Sequence, residues 1–307
     1  MPDDVTKVVL PRRLRNGDRV AVVAPSGRVD AARLEIGVQQ LKSWGLEVEV
    51  MPSVLAGYER FRYLAAEDKA RAADLRNAWL DERFAAVLCA RGGYGVQRML
   101  EYVDIDELVA VPKWFLGFSD ITALHEPLNA RGLVTLHGPM AAAVEQLTVA
   151  EGRERLRALL FEPETVTDLL APHGARTVVG GVAEGRLRGG NLALLAASVG
   201  TPTYAPPVGV VVLEDVNEEA YQADRLVTQL LRAGWFEQVT GVVIGDFSDG
   251  GDGIDDMLCE RLEPLGVPMV EGAAIGHEAL NLAVPLGLPV RLDATAATLT
   301  PCGFAGS

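Results

Sequence analysis

The alternation of short apolar runs with segments of helical periodicity is the feature of the first half of the chain that most restricts its fold. After the first apolar run, at residues 19–24, Leu34, Val38 and Leu41 recur at helical spacing. Gly45 then provides a helix stop. The expected strands are at residues 19–24, 46–51, 84–89 and in the run that ends at Ser119. This β-α-β order predicts a parallel sheet with helices on both faces, of the flavodoxin-like kind.

The pattern changes after Met140, where the regular alternation ends. The chain has 307 residues, and about 150 residues per domain is a usual guide, so two domains are expected. We place an N-terminal α/β domain at residues 1–150, a linker at 151–176 and a C-terminal domain at 177–307. The C-terminal domain combines helices with apolar strands such as the one at 208–213, which indicates mixed α/β structure.

A serine lies where a predicted strand should turn into a helix. The apolar run at 114–118 leads directly to Ser119 and Asp120. A hydroxyl on such a turn stands clear of the sheet, as a catalytic nucleophile does. Ile121 replaces the second glycine of the G-x-S-x-G pattern, and a helix cap formed by Ser119 and Asp120 is the structural alternative.

Two further segments have the composition of site loops. The apolar run at 208–213 ends in Glu214 and Asp215, and His277 lies in a stretch rich in glycine and proline. Serine, histidine and a carboxylate are the parts of a nucleophile, its general base and an orienting acid. Asp215 competes with Glu214 for the orienting role, or caps the turn after the strand.

The other candidate imidazoles are His125 and His137. The first is expected on the helix after Ser119 and the second at the end of the next strand. We expect structural roles for both.

The chain resembles the LD-carboxypeptidases, the muramoyltetrapeptide carboxypeptidase group of serine peptidases, over nearly its whole length. The landmarks that carry the resemblance are Ala24-Pro25-Ser26-Gly27, Arg91-Gly92-Gly93-Tyr94-Gly95, Gly117-Phe118-Ser119-Asp120, His137-Gly138-Pro139, Gly190-Asn191-Leu192, Leu213-Glu214-Asp215 with Tyr221, Asp224 and Arg225, and Gly276-His277. The resemblance implies a catalytic triad of Ser119, His277 and Glu214. It also implies a swivelling β/β/α-like C-terminal domain.

The same resemblance implies a function. We expect a hydrolase that releases the terminal D-Ala from murein tetrapeptides during cytoplasmic recycling of the cell wall. Its partner would be the murein peptide substrate, and the protein would be a homodimer. No cofactor is expected.

Such a reaction also needs oxyanion donors and a group that holds the terminal carboxylate. The Asp120 N–H is one candidate donor, and the N–H of Gly92 or Gly93 is the other, because a residue without a side chain lets the backbone approach the substrate. Arg91 and Arg188 are candidate clamps for the carboxylate, with a surface salt bridge as the alternative role of each.

Charge and cysteine usage exclude several classes of partner. The formal net charge of −14 argues against a nucleic-acid surface and against docking on anionic lipid. The three cysteines, Cys89, Cys259 and Cys302, are far apart, which fits a reducing compartment and no zinc site. With no signal sequence and no apolar run of about 20 residues, we expect a cytoplasmic protein.

The sequence also contains two patterns that suggest other ligands. Aspartates interleaved with glycines could suggest calcium, but the spacing is not that of an EF-hand, and a solvated acidic loop is expected. These residues are Asp246, Asp249, Asp252, Asp255 and Asp256. The loop at 91–95 lacks the lysine and serine or threonine of a phosphate-binding loop. We therefore expect catalysis without a metal.

Two other functions remain open at this point. A microcin C immunity peptidase is a relative with the same triad that hydrolyses the amide of peptidyl or aminoacyl adenylates, and it would need an aromatic platform for adenine. A non-catalytic protein that binds a peptide or a nucleotide in the same cleft is the alternative from another class. The presence of Ser119, Glu214 and His277 argues against a non-catalytic binding protein.

Overall fold

The computed structural model describes residues 7–171 and 173–304. The strands are β1 (Arg19–Val23), β2 (Glu47–Val50), β3 (Phe84–Cys89), β4 (Trp114–Gly117), β5 (Thr135–His137), β6 (Arg176–Val179), β7 (Val182–Asn191), β8 (Gly209–Val216), β9 (Val239–Ser248), β10 (Met269–Glu271), β11 (Val284–Leu286), β12 (Pro289–Asp293) and β13 (Thr298–Pro301). The α-helices are α1 (Ala31–Ser43), α2 (Asp68–Leu80), α3 (Val96–Met99), α4 (Ile105–Val109), α5 (Thr122–Ala130), α6 (Val144–Thr148), α7 (Ala150–Phe161), α8 (Leu192–Ser198), α9 (Ala220–Arg232) and α10 (Ile254–Leu262).

The N-terminal sheet has the strand order β11-β5-β4-β3-β1-β2. Strands β1 to β5 are parallel, and their order 2-1-3-4-5 is the flavodoxin-like one. Successive residues of β1 alternate between two cores: Val20 and Val22 pack in the same core as α1, whereas Ala21 and Val23 pack with α2. The predicted parallel sheet with helices on both faces is confirmed.

Local sequence signals set the ends of the first helix. Asp30 caps α1 by accepting a hydrogen bond of 2.9 Å from the Arg33 N–H. After the C-terminal cap at Trp44, Gly45 has a φ of +82°, a left-handed conformation that favours glycine. The predicted helix stop at Gly45 is therefore confirmed.

The C-terminal sheet has the order β13-β12-β7-β8-β9-β10-β6. Its centre, β7 to β10, is parallel, and its flanking strands are antiparallel. Val211 and Leu213 of β8 face a core formed with α8, α9 and α10, while Val210 and Val212 face the core that is shared with the N-terminal region. This mixed sheet with helices along one face agrees with the expected C-terminal fold class.

The two sheets do not divide the chain at a single point. Strand β11 belongs to the C-terminal part of the sequence but pairs antiparallel with β5, with Val284 opposite His137. The segment expected as a linker contains most of α7, whose Leu156, Leu159 and Leu160 are buried in the shared core. The C-terminal part of the chain is therefore packed onto the N-terminal sheet through a continuous apolar contact.

None of the helices in the described ranges combines the length and hydropathy that crossing a membrane requires.

Candidate active site

Ser119 lies at the carboxyl end of β4, on the turn into α5. All residues of β4 are buried, and residues Ser119–Ile121 form a single 3₁₀ turn before α5 begins at Thr122. Ser119 has a φ of +63°, a backbone conformation that residues other than glycine rarely adopt. Such backbone strain is the property of a nucleophile elbow, in which a sharp turn exposes the serine hydroxyl above the sheet. The predicted strand-to-helix turn is thus present.

The glycine-rich loop after β3 packs directly against this serine. A Cβ placed on Gly92 would lie 2.9 Å from Ser119 Cβ and 3.2 Å from Ser119 Oγ. Only glycine allows the loop backbone to approach the hydroxyl this closely. Gly92 therefore lies beside Ser119, and Gly93 lines the same cavity as this serine.

The Asp120 side chain ties together the loops around the serine. Its Oδ2 accepts hydrogen bonds from Ser26 Oγ at 2.6 Å and from the Val96 N–H at 2.9 Å. Burial raises the pKa of the carboxyl, although the hydrogen bond from Ser26 opposes this effect. Because Ser26 follows β1 and Val96 follows the glycine-rich loop, Asp120 holds the ends of three neighbouring strands in one arrangement.

Glu214 and His277 meet at the same end of the molecule. Glu214 lies near the end of β8 and is fully buried, and His277 lies in the loop that follows β10. His277 Nδ1 is 2.8 Å from Glu214 Oε2, and the His277 ring lies 4.9 Å from the Phe118 ring, measured between centroids. An Nδ1–H that donates to the carboxylate leaves Nε2 free to accept a proton.

Electrostatics favour an ionised carboxylate beside this imidazole. Burial disfavours the charge on Glu214, but the hydrogen bonds from His137 and His277 outweigh it and lower the carboxyl pKa to about 2. Burial lowers the pKa of His277, but the hydrogen bond to Glu214 and the charge of that carboxylate outweigh burial and raise the pKa above its ordinary value. The pair therefore stabilises a positive charge on the His277 imidazole.

Asp215, the next residue of β8, makes hydrogen bonds at the start of α8. Its Oδ1 accepts a hydrogen bond of 2.8 Å from Asn191 Nδ2, and its Oδ2 accepts one of 2.8 Å from the Ala193 N–H. Burial and the neighbouring charge of Glu214 raise the Asp215 pKa to about 6. The structure therefore brings Glu214 to His277 and uses Asp215 to attach β8 to the start of α8.

Ser119 and His277 line one cavity of about 800 Å³. The same cavity is lined by Arg91, Gly92 and Gly93. Its walls are therefore formed by residues of the N-terminal part of the chain together with His277 of the C-terminal part. A pocket of this size, with a few convergent polar groups, is typical of a small-ligand site.

The two candidate arginines have different environments. Arg91 lines the cavity, where its Nε donates to the Gly92 carbonyl at 3.2 Å, and it forms no ion pair with any carboxylate in the described ranges. Arg188 is buried outside this cavity, and its Nη2 lies 3.4 Å from Glu126 Oε1. Arg188 therefore forms a buried ion pair with Glu126. It forms neither the surface salt bridge nor the contact with the substrate that the sequence suggested.

The two other candidate imidazoles, His125 and His137, are both fully buried. His125 bonds Thr135 Oγ1 at 2.8 Å and the Gly117 carbonyl at 2.9 Å, and burial lowers its pKa to about 3. This is the structural role expected of it. His137 Nε2, however, lies 3.4 Å from Glu214 Oε1. The sequence prediction missed this contact, although His137 belongs to one of the landmarks of the resemblance and ends the strand next to β4.

The described residues contain no group of three or more histidine, cysteine, aspartate or glutamate side chains placed to hold a metal ion. In the aspartate-rich segment, Asp246 Oδ2 accepts a hydrogen bond of 2.6 Å from the Glu278 N–H. This carboxylate thereby supports the loop that carries His277.

Comparison with known proteins identifies the family. Residues 20–138 match the LD-carboxypeptidase N-terminal domain, and residues 184–292 match the LD-carboxypeptidase C-terminal domain. The chain is 50% identical over 300 residues to a protein of Streptomyces coelicolor that carries a provisional carboxypeptidase name, with 96% of each chain covered. It is 33% identical over 294 residues to the murein tetrapeptide carboxypeptidase of Pseudomonas aeruginosa, with 90% of this chain and 93% of that protein covered.

Solved structures agree with this family. The muramoyltetrapeptide carboxypeptidase of Oxalobacter formigenes superposes with a TM-score of 0.77 at 27% identity, over 92% of this chain and 97% of that one. The structure of MccF in complex with glutamyl sulfamoyl guanosine superposes with a TM-score of 0.87 at 20% identity, over 97% and 99%, and at that identity it shows the shared fold alone. The chain therefore belongs to the LD-carboxypeptidase family, and its enzymatic class is that of a carboxypeptidase hydrolase.

Proposed function

We propose that this protein is a serine-type LD-carboxypeptidase that releases the terminal D-Ala of murein tetrapeptides. The observation that carries the proposal is the cavity shared by Ser119 and His277, with His277 bonded to the buried Glu214. The names of the relatives from Pseudomonas aeruginosa and Oxalobacter formigenes support the choice of substrate.

In the proposed mechanism, Ser119 Oγ attacks the carbonyl carbon of the scissile amide while His277 Nε2 takes the hydroxyl proton. The imidazolium then gives this proton to the leaving nitrogen, the C–N bond breaks, and D-Ala departs. An acyl ester remains on Ser119. Water, deprotonated by the same imidazole, hydrolyses the ester and restores the free hydroxyl.

Glu214 orients the base in this scheme. Its 2.8 Å contact with His277 Nδ1 supports the tautomer in which Nε2 accepts the serine proton. The ionised carboxylate also stabilises the imidazolium that forms when the proton is transferred, which agrees with the raised pKa of His277.

The developing oxyanion would be stabilised by backbone donors. We assign one to the Asp120 N–H and the other to the N–H of Gly92 or Gly93, which lies on the loop against Ser119. The strained turn at Ser119 supports this assignment, because it exposes the hydroxyl and begins a helical segment at the same point.

We assign recognition of the terminal carboxylate to Arg91, whose guanidinium lies in the cavity without an ion-pair partner among the described residues. A guanidinium can bind a carboxylate through two parallel hydrogen bonds. Arg188 is left out of this role because Glu126 already pairs with it away from the cavity.

The proposed setting is the cytoplasm, where peptides released by turnover of the cell wall would be the substrates. The odd number of cysteines, none of which forms a disulfide with another, supports a reducing compartment. The homodimer expected from the sequence stays a prediction.

The burial of every tryptophan argues against an adenylate substrate. The chain has 4 tryptophans, and Trp44 is 8% exposed while Trp79, Trp114 and Trp235 are 0% exposed. None of them can offer its face to an adenine ring. A microcin C immunity activity would therefore need another aromatic platform.

Parallel assays distinguish the two substrates. The protein is incubated separately with a murein tetrapeptide and with an aminoacyl sulfamoyl adenylate, and the products are identified by mass spectrometry. We expect D-Ala from the tetrapeptide and no free amino acid from the adenylate. The Ser119→Ala variant is the matched control, and it should fold normally and lose at least about 10³-fold in kcat because the triad acts as a unit. Release of an amino acid from the adenylate alone would replace the proposed function.

The two adjacent carboxylates make separate predictions. Glu214→Gln should lower kcat by about 10²- to 10⁴-fold with a smaller effect on KM, because the amide no longer favours the required imidazole tautomer. Asp215→Asn should leave more activity and mainly lower the melting temperature, since it disturbs the contacts with Asn191 and Ala193. The opposite order of severity in matched kinetic assays would transfer the orienting role to Asp215.

The pH dependence follows from the raised pKa of His277. The imidazole acts as a base only when neutral, so kcat/KM should fall as the pH decreases through a midpoint above 6.5, the ordinary histidine value. With a pKa of about 2, Glu214 stays ionised at the pH values where His277 titrates, so it does not cause the fall of kcat/KM at low pH. A midpoint below 6.5 in the pH profile of the wild-type enzyme would contradict the proposed pair.

A further inference from the structure

His137 is held rigidly at the carboxyl end of β5. In the N-terminal sheet, it pairs with Gly117 of β4 on one side and with Val284 of β11 on the other. Its side chain is 0% exposed. The sheet that carries Ser119, two residues beyond Gly117, therefore fixes the backbone of this histidine, and burial restricts its ring.

The ring reaches the carboxylate that the other sheet supplies. His137 Nε2 lies 3.4 Å from Glu214 Oε1, while His277 Nδ1 lies 2.8 Å from Glu214 Oε2. Each oxygen of the buried carboxylate thus faces a different imidazole. Two donors compensate the cost of burying this charge better than one does.

The surroundings of His137 also select its tautomer. A carboxylate accepts hydrogen bonds, so the His137 nitrogen that faces it must carry the proton. In the neutral ring, Nδ1 is then an unprotonated acceptor, and Nδ1 is the atom of this ring that has no partner among the described residues. The opposite tautomer would leave a buried N–H without a partner and place two acceptors face to face.

We propose that His137 is a positioning residue that holds the carboxylate of Glu214 in the orientation required to direct His277. The inference rests on the proposed serine mechanism and extends it to a residue outside the triad. Rotation about the last torsion of a glutamate is broad, so a single hydrogen bond to His277 does not fix the carboxylate plane. The second hydrogen bond fixes it and connects the β5 end of one sheet to the β8 end of the other.

Substitutions can separate this role from simple packing. In His137→Gln, the side-chain amide can place a donor near the position of Nε2. In His137→Asn, the shorter amide places its donor nearer the position of Nδ1 and does not reach Glu214. The matched control is His125→Asn, because His125 is equally buried and lies 6.4 Å from His137 between ring centroids, yet its ring bonds Thr135 and Gly117.

The first measurement is steady-state release of D-Ala from the murein tetrapeptide. His137→Asn should lower kcat by about 10- to 100-fold, the range expected when a hydrogen bond to a charged group is lost, with KM changed far less. His137→Gln should recover most of this loss. If the asparagine variant does not fold, as judged by its melting transition, His137→Phe keeps an aromatic ring without a donor and takes its place.

The second measurement does not depend on the substrate. A carbon-13 carboxyl titration of Glu214 should show a pKa that rises when the His137 donor is removed and stays low in His137→Gln and His125→Asn. If the wild-type enzyme releases no D-Ala, the proposed function fails, yet this titration still tests the positioning role. An unchanged Glu214 pKa and an unchanged kcat in His137→Asn would overturn the inference. It would also be overturned if His125→Asn raised the Glu214 pKa and lowered kcat as much as His137→Asn does.

Discussion

The packing of the C-terminal sheet against the N-terminal sheet is the constraint on which the candidate site depends. Ser119 follows β4, whereas Glu214 and His277 come from the end of β8 and the loop after β10. A nucleophile and its base act only within hydrogen-bond reach, and a misplacement of about 1 Å can cost about 10²-fold in rate. The shared apolar core and the pairing of β11 with β5 therefore determine the geometry of the candidate site.

Near these strand ends, buried polar groups replace some of the apolar packing. Asp120 bonds the loops after β1 and β3, and Asp215 bonds the start of α8. Glu214 faces two imidazoles, one at the end of β5 and one in the loop after β10. These carboxylates are buried at a cost that neighbouring donors offset, and their arrangement leaves the strained Ser119 turn exposed to the cavity.

Local patterns were sufficient to predict the turn at Ser119 and the helix stop at Gly45, because each depends on neighbouring residues. The parallel N-terminal sheet followed from the β-α-β order, because strands joined by crossover helices pair in parallel. Contacts between distant residues were not predictable in the same way. The three-residue strand β11 has no periodicity of its own, and His137 meets a carboxylate 77 positions away. Arg188 could not be distinguished from Arg91 by sequence, because only the fold shows that Glu126 lies beside one of them.

The most direct test of the central claim is covalent labelling with a fluorophosphonate, which loses fluoride when an activated serine attacks its phosphorus. Peptide mass spectrometry should locate the adduct on Ser119, and the labelling rate should fall by at least about 10²-fold in His277→Ala, since the base that activates the hydroxyl is removed. Labelling of Ser119 at the same rate in His277→Ala, or a predominant adduct on another residue, would contradict the assembly of one catalytic unit from the two sheets.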